Sequence, residues 1–358
     1  MARERKTLSK KSKIILTIIL IILATVIVGT AIYIKFWKGQ TKPASLDTET
    51  GDNQEIPEYP EPEPQKEIQI FKGNDRPVAV MIDNHSGAWP QAGLNKAYIV
   101  YEIIVEGGET RLMALFKGQD VENIGPVRSS RHYFLDYALE NNAIYVHYGW
   151  SPQAQSDIST LKVNNINGIS ESSSSFWRTK KKSSPHNVLT STQKILSIAD
   201  RKGYTTTSTK ESVLNYVADE IDLSEGLSAT QVTIPYSTLQ KVEYKYNSET
   251  GRYTRYARNK LQTDFSSGEE ITTKNIIITF CNNYTLNDPE NKGRQGINNT
   301  GTLKGYYITN GKAIEITCTK DTRKSQTVYK DLNGKEIEVN DGNTFINICP
   351  TDAEVSIQ

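Results

Sequence analysis

The chain has 358 residues, 42 of them Lys or Arg against 41 Asp or Glu, for a formal net charge of +1. That balance excludes a global basic field for nucleic acid, while the length suffices for two domains with cores of their own. Four histidines are too few for a multi-histidine metal centre, and neither a metal nor a cofactor is expected.

The neutral sum hides an asymmetry along the chain. Residues 1–13, "MARERKTLSKKSK", hold six basic residues and one acid, and the run from Ile14 to Ile34 then carries no charge. At about 1.5 Å per residue such a run spans a hydrocarbon core of roughly 30 Å. Residues 14–35 are therefore expected to be a single-pass transmembrane signal-anchor. The basic flank points to a cytoplasmic N-terminus, which puts the domains outside the cytoplasm at the cell membrane. A cleaved signal peptide is the alternative, but its apolar region is normally shorter and ends in a small-x-small site. No cysteine stands near this segment to carry a lipid. Residues 39–67 hold eight acids and five prolines, a composition that resists burial and predicts an extended, disordered linker.

Beyond the linker, "RPVAVMIDN" predicts a strand buried on both faces. "KAYIVYEIIVEGGETRLMALFKG" predicts two strands about a Gly107-Gly108 turn, although Tyr98, Tyr101 and Val105 also recur at helical spacing. In "ENIGPVRSSRHYFLDYALEN" the Gly125-Pro126 turn leads into a helix expected to be capped by Ser129 or Ser130. "AIYVHYGW" predicts a strand, and "SPQAQSDISTL" and "TSTQKILSIADRKGY" predict helices. From about residue 230 helical patterning gives way to strands punctuated by Asn-Gly and similar turns. The fold class is thus α+β: a mixed α/β domain over 68–215, then a mostly β domain over 228–358 that folds as a small sandwich or open barrel. Cys281, Cys318 and Cys349 read as buried free thiols.

The segments "RPVAVMIDN", "PQAGLNKAYIVYE", "EGGETRLMALF", "IGPVRSSRHYF", "AIYVHYGWSPQA" and "FWRTKKKSSPHNVLTS" follow in an order that resembles YerB-like proteins, Gram-positive lipoproteins built from paired domains of unknown function. The tail from "GTLKGYYITNGKAIEITCTK" to "TFINICP" is similar to the second domain of that pair, so the resemblance covers roughly residues 70–350. Two departures stand out. Family members carry a lipobox cysteine where this chain has a plain apolar run, and tryptophan where it has Cys318 and Ile346. The resemblance implies the architecture and an envelope address, and it brings no established activity.

Neither a G-x-S-x-G elbow, an H-E-x-x-H pair, a Walker loop nor a C-x-x-C pair is present. Glu102 and Glu106 make a poor acid–base couple, because residues four apart on a strand lie about 13 Å apart, beyond the 5.5–9.5 Å that glycosidases use. Arg128 and Arg131 stand where a helix dipole disfavours cations, so each needs an anion, either an internal carboxylate such as Glu102 or Glu106 or a ligand. Arg128 is expected to face the ligand and Arg131 to be structural. Asp83, Glu106, Arg111, His147, Arg178 and His186 complete the candidate ligand-binding set. The bland alternative makes His147 a core histidine and Lys180 to Lys182 a solvated tip rather than a teichoic-acid or lipid-headgroup contact, while Trp89, Trp150 and Trp177 either cap the core or stack on a sugar ring. The favoured function is a membrane-anchored extracytoplasmic binding or assembly module for an anionic cell-wall glycan or an envelope protein. The runner-up is a hydrolase of an envelope polymer, which a carboxylate within about 3 Å of a histidine favours.

Overall fold

The computed structural model describes residues 66–71 and 73–358. The basic tail, the apolar run and nearly all of the acidic linker lie outside these residues. The fold starts from three strands, β1 (Val78–Asp83), β2 (Ile99–Ile104) and β3 (Thr110–Phe116), every residue of which is buried. Alternation explains how. Val78, Val80, Ile82, Val100, Leu112 and Ala114 join one hydrophobic cluster, while Ala79, Met81, Tyr101, Ile103, Met113 and Leu115 join a second. Successive side chains point to opposite faces of a sheet, so strands buried at every position belong in its covered middle. This decides the 98–105 segment in favour of a strand.

Parallel to β1 runs β4 (Ile144–His147), and parallel to β4 runs β5 (Asn165–Asn167), which forms one margin. The second half of the chain supplies β6 (Gln231–Pro235), β7 (Lys241–Asn247), β8 (Arg252–Ala257), β9 (Asn275–Cys281), β10 (Gly301–Thr309), β11 (Lys312–Lys320), β12 (Val328–Asp331) and β13 (Thr344–Pro350). It is mostly β, but the separate sandwich or barrel expected for it is not what forms. β13 lies between β9 and β2, parallel to both, and joins strands of both halves into one 11-stranded sheet ordered β12-β11-β10-β9-β13-β2-β3-β1-β4-β5, with the short strand Leu227–Ser228 on β11. The reason lies in composition: β13 is buried at every position and β9 at all but Phe280, so neither can line a sheet wet on one side.

A second sheet of six strands, built on β6, β7 and β8, shows the other pattern. Val232, Ile234, Val242, Tyr244, Tyr253 and Ala257 alternate inward onto the first cluster. Helix α3 (Thr192–Arg201) adds Ile195, Ile198 and Ala199 to that face, and α1 (Phe134–Glu140) covers the other with Phe134, Leu135 and Ala138. Helix α2 (Pro152–Thr160) begins at Ser151, whose side chain accepts the Ala154 N–H, and α3 begins at Ser191, whose side chain accepts the Lys194 N–H. The cap expected at Ser129 or Ser130 is displaced. Ser130 instead donates its N–H to Gly149 (2.9 Å), accepts from Ser151 N–H and takes the Tyr145 hydroxyl on Oγ, so α1 starts only at Phe134. The three cysteines are free and buried, and burial pushes each thiol up to about 12.

Between the two sheets sits one ion pair with no exposure on either partner, Glu102 on β2 and Arg255 on β8. Glu102 also accepts from Thr110 Oγ1 at 2.7 Å and Asn84 Nδ2 at 3.2 Å, while Arg255 donates to Gln262 and lies over the rings of Phe345 and Tyr244. Breaking one partner of such a pair strands a charge in the core. Arg255→Ala is therefore expected to lose about 3–5 kcal/mol in equilibrium urea unfolding. Replacing both partners by apolar residues should recover part of that loss.

Candidate functional site

Asp83 ends β1 with its side chain 4% exposed, opposite Arg111 of β3 in the antiparallel register. Three groups converge on its carboxylate. Oδ1 accepts the His85 N–H at 3.1 Å, and Oδ2 faces His186 Nδ1 at 2.7 Å and Arg128 Nε at 3.1 Å.

Local backbone chemistry brings each group there. The segment before Arg128 runs against β1, with Asp83 N–H donating to Pro126 O (2.8 Å) and Arg128 N–H donating to Met81 O (2.9 Å). Gly125, at φ 139°, makes this approach possible, since a Cβ there would come within 2.7 Å of Val127 N and Val188 O. His186 rides on the loop between the short strands Trp177–Arg178 and Val188–Leu189. Arg178 pins that loop by donating to Asn187 Oδ1 at 2.6 Å, and its guanidinium lies 5.5 Å from the Tyr148 ring centroid. The His85 and His186 rings stack at 4.4 Å, 10° from parallel. His85 Nδ1 accepts the Gly87 N–H at 3.0 Å, so a neutral His85 carries its proton on Nε2.

Beside this centre lies a second cluster. Arg131 grips Glu106 through Nε and through Nη2 at 3.0 Å, and donates Nη1 to Ser130 O. Arg111 donates to Ser129 O at 2.6 Å and approaches Glu106 Oε2 to 3.9 Å. Three guanidiniums thus face two carboxylates. Burial lowers the pKa of Arg111 to about 10, and the charges of Arg131 and Arg128 press the same way against Glu106 and Asp83. Burial pushes the Glu106 carboxyl up, but the hydrogen bonds and charge of Arg131, with Arg111 behind, outweigh it and hold Glu106 below its ordinary 4.5.

Arg128 is different. Its side chain is 26% exposed, its Nε lacks hydrogen-bond geometry toward Asp83, and neither Nη donates to any group among the described residues. Because α1 starts at Phe134, Arg128 and Arg131 both precede it, Arg131 O accepting the Phe134 N–H in the turn that leads into the helix, so neither lies within its first turn. His147 is fully buried in the core, with Nδ1 on Gly149 O at 2.7 Å and Nε2 on Asn165 Oδ1 at 3.2 Å. Lys182 is not a free tip: its Nζ donates to Ala88 O at 2.6 Å and to Pro90 O, and burial lowers its pKa to about 8 against the pull of Asp83 and Asp264. His85 escaped notice in the sequence, although "MIDNH" puts it two residues after Asp83 at the end of a buried strand.

A sheet shared between two modules, with an arginine–carboxylate–histidine cluster at the end of its first strand, defines a two-module architecture. Residues 65–205 match "Protein of unknown function (DUF3048) N-terminal domain", and residues 232–346 match the DUF3048 C-terminal domain. "Putative lipoprotein YerB" of Bacillus subtilis (strain 168) is 34% identical over 286 residues, 77% of this chain and 81% of the relative. The crystal structure of YerB protein from Bacillus subtilis is similar with a TM-score of 0.71 and 33% identity, covering 79% of this chain and 94% of that one. The chain belongs to this YerB-like family of paired DUF3048 domains.

The single-pass location expected from the sequence is corrected here. No helix among the described residues is long and apolar enough to cross a membrane, and the relative's name is that of a lipoprotein. The apolar run at 14–35 lies outside the described residues.

The two arginines separate in a stability experiment. Arg131→Ala strands Glu106 and is expected to cost about 2 kcal/mol, whereas Arg128→Ala should change stability by less than about 1 kcal/mol. Glu106 titrates below 4.5 in the folded chain, so its stabilising contribution is complete above that pH and is lost as the pH falls through the folded value. Arg131→Ala should remove that acid limb from a plot of urea-unfolding free energy against pH.

Proposed function

We propose that the chain is a binding module for an anionic ligand, a phosphate- or carboxylate-bearing molecule held at Arg128 beside His85 and His186. The observation that carries this reading is the Arg128 guanidinium, steadied by Asp83 at 3.1 Å with no Nη hydrogen bond to a described residue. A fork so placed offers parallel donors to an oxyanion, and the two stacked imidazoles add further N–H groups. An anionic cell-wall glycan or an acidic surface of an envelope protein would present such a group. The relative's name as a lipoprotein supports a setting at the cell envelope.

The second reading, a hydrolase, is favoured by one contact. Asp83 Oδ2 at 2.7 Å from His186 Nδ1 would orient the imidazole and leave Nε2 to act as a base. Among the described residues no hydroxyl or thiol hydrogen-bonds to His186, so this reading needs an activated water.

Thermal melts and isothermal titration of the full chain with sodium phosphate and sodium citrate test the first reading. Wild type is expected to bind and to gain in Tm with rising anion, following the linkage between binding and stability. Arg128→Ala should lose both responses, while Arg323→Ala, on a separate ion-pair cluster with Asp136 and Asp157, keeps them. A wild-type chain indifferent to both anions would remove this reading.

A further inference from the structure

A cleft lies at the β5 margin of the large sheet, between α2, β5 and the segment after α3. Its volume is about 370 Å³, within the size range of small-molecule sites, and Trp150 and Tyr204 line it together with Gln155, Asn165, Asn167 and Glu171. Trp150 is 36% exposed, among the most exposed large aromatics, and its Nε1–H has no acceptor among the described residues. The indole is held from behind by His147, whose ring lies 5.4 Å away and whose nitrogens are tied to Gly149 and Asn165. Tyr204 donates its hydroxyl to Asn165 O at 3.1 Å, so its ring is fixed as well.

Part of the polar lining is pre-oriented yet keeps unused hydrogen-bonding atoms. Asn167 Oδ1 accepts the N–H groups of Gly149 (3.0 Å) and Ile169 (3.2 Å), leaving Nδ2 without an acceptor among the described residues. Glu171 has a side chain only 6% exposed. Its Oε2 is taken by Arg201, while Oε1 has Lys202 Nζ at 3.8 Å, too far for a hydrogen bond. The two cations offset the carboxylate's charge, and Oε1 is left without a hydrogen bond among the described residues. Rigid aromatic faces, amide donors and a charge-compensated carboxylate suit a ligand with an apolar C–H face and a rim of hydroxyls.

We propose that this cleft binds a saccharide, with a sugar ring stacked on Trp150 and its hydroxyls on Asn167 Nδ2, Gln155 and Glu171 Oε1. His147 is then a positioning residue, which accounts for a buried polar side chain at the end of the apolar strand "IYVH". The site uses none of the groups at Asp83, so its success or failure is independent of the anion site.

The test titrates the full chain with β-1,4-linked tetrasaccharides of glucose and of N-acetylglucosamine, by calorimetry and by tryptophan fluorescence. Wild type is expected to bind at least one of them with a shift in emission. Trp150→Ala should weaken binding about tenfold or more, Trp150→Phe less, with the emission shift lost in both. Gln155→Ala, an exposed helix position, should weaken binding without altering Tm, which keeps the test decisive if Trp150→Ala unfolds. Arg128→Ala should bind as wild type does. Absence of binding to both sugars, or binding unchanged in Trp150→Ala and Gln155→Ala, overturns the proposal.

Discussion

Glu102 and Arg255 meet where neither has any contact with water, and the organisation of the described chain follows from the need to satisfy them. A buried ion pair is weak as a source of stability, because desolvation consumes most of the Coulomb gain, but it is demanding as a constraint. Every remaining donor and acceptor around it must find a partner. Most do so here, with Gln240 Oε1 left over, through a continuous web: Thr110 and Asn84 on Glu102, Gln240 on Thr110, Gln262 on Arg255, Gln91 bridging Gln262 and Asn84. Tyr236 and Tyr244 extend it to Asn347 on β13. The web spans residues that match the two DUF3048 domain descriptions, so the modules are joined by polar chemistry at their core as well as by shared strands.

The candidate anion site inherits its rigidity from that web. Asn84 follows Asp83 directly, and its side chain is claimed by Glu102, Thr110, Gln91 and Trp89 Nε1. The turn that carries His85 cannot shift without disturbing those bonds. Lys182 fastens the opposite loop to the same turn through Ala88 O and Pro90 O, and also lies 4.5 Å from the Phe265 ring centroid. A preorganised cluster of like charges is costly to assemble, and a scaffold that cannot relax is what keeps three guanidiniums within reach of two carboxylates.

Much of this is legible in the sequence. The apolar run at 78–82 points to a strand buried on both faces, and "SPQAQSDISTL" and "TSTQKILSIADRKGY" point to helices, because hydrophobic patterning is a local property. Ser130 misled for the opposite reason: a good capping residue was bonded instead by Gly149 and Tyr145, neighbours that only the folded chain provides. The apolar character of "NIIITFC" and "TFINICP" was visible, but their insertion beside β2 was not, since pairing partners leave no mark in one sequence. At the site, Arg128 and Asp83 stood out by residue type and placement. His85 and Lys182 did not, because their roles come from a loop folding back across the end of β1.

The position of β13 has a consequence for how the chain reaches this structure. Thr344 of β13 pairs with Ile99 of β2, so a strand made late in synthesis fills the centre of a sheet whose first strands emerge early. Until it arrives, β2 presents an open, largely apolar edge, the kind of surface that recruits other strands. The closing contact joins segments far apart in sequence, which slows topology-limited folding. Completion must therefore wait for nearly the whole described chain to leave the ribosome. A nascent YerB-like protein has reason to be escorted, unfolded along this edge, until the last central strand closes it.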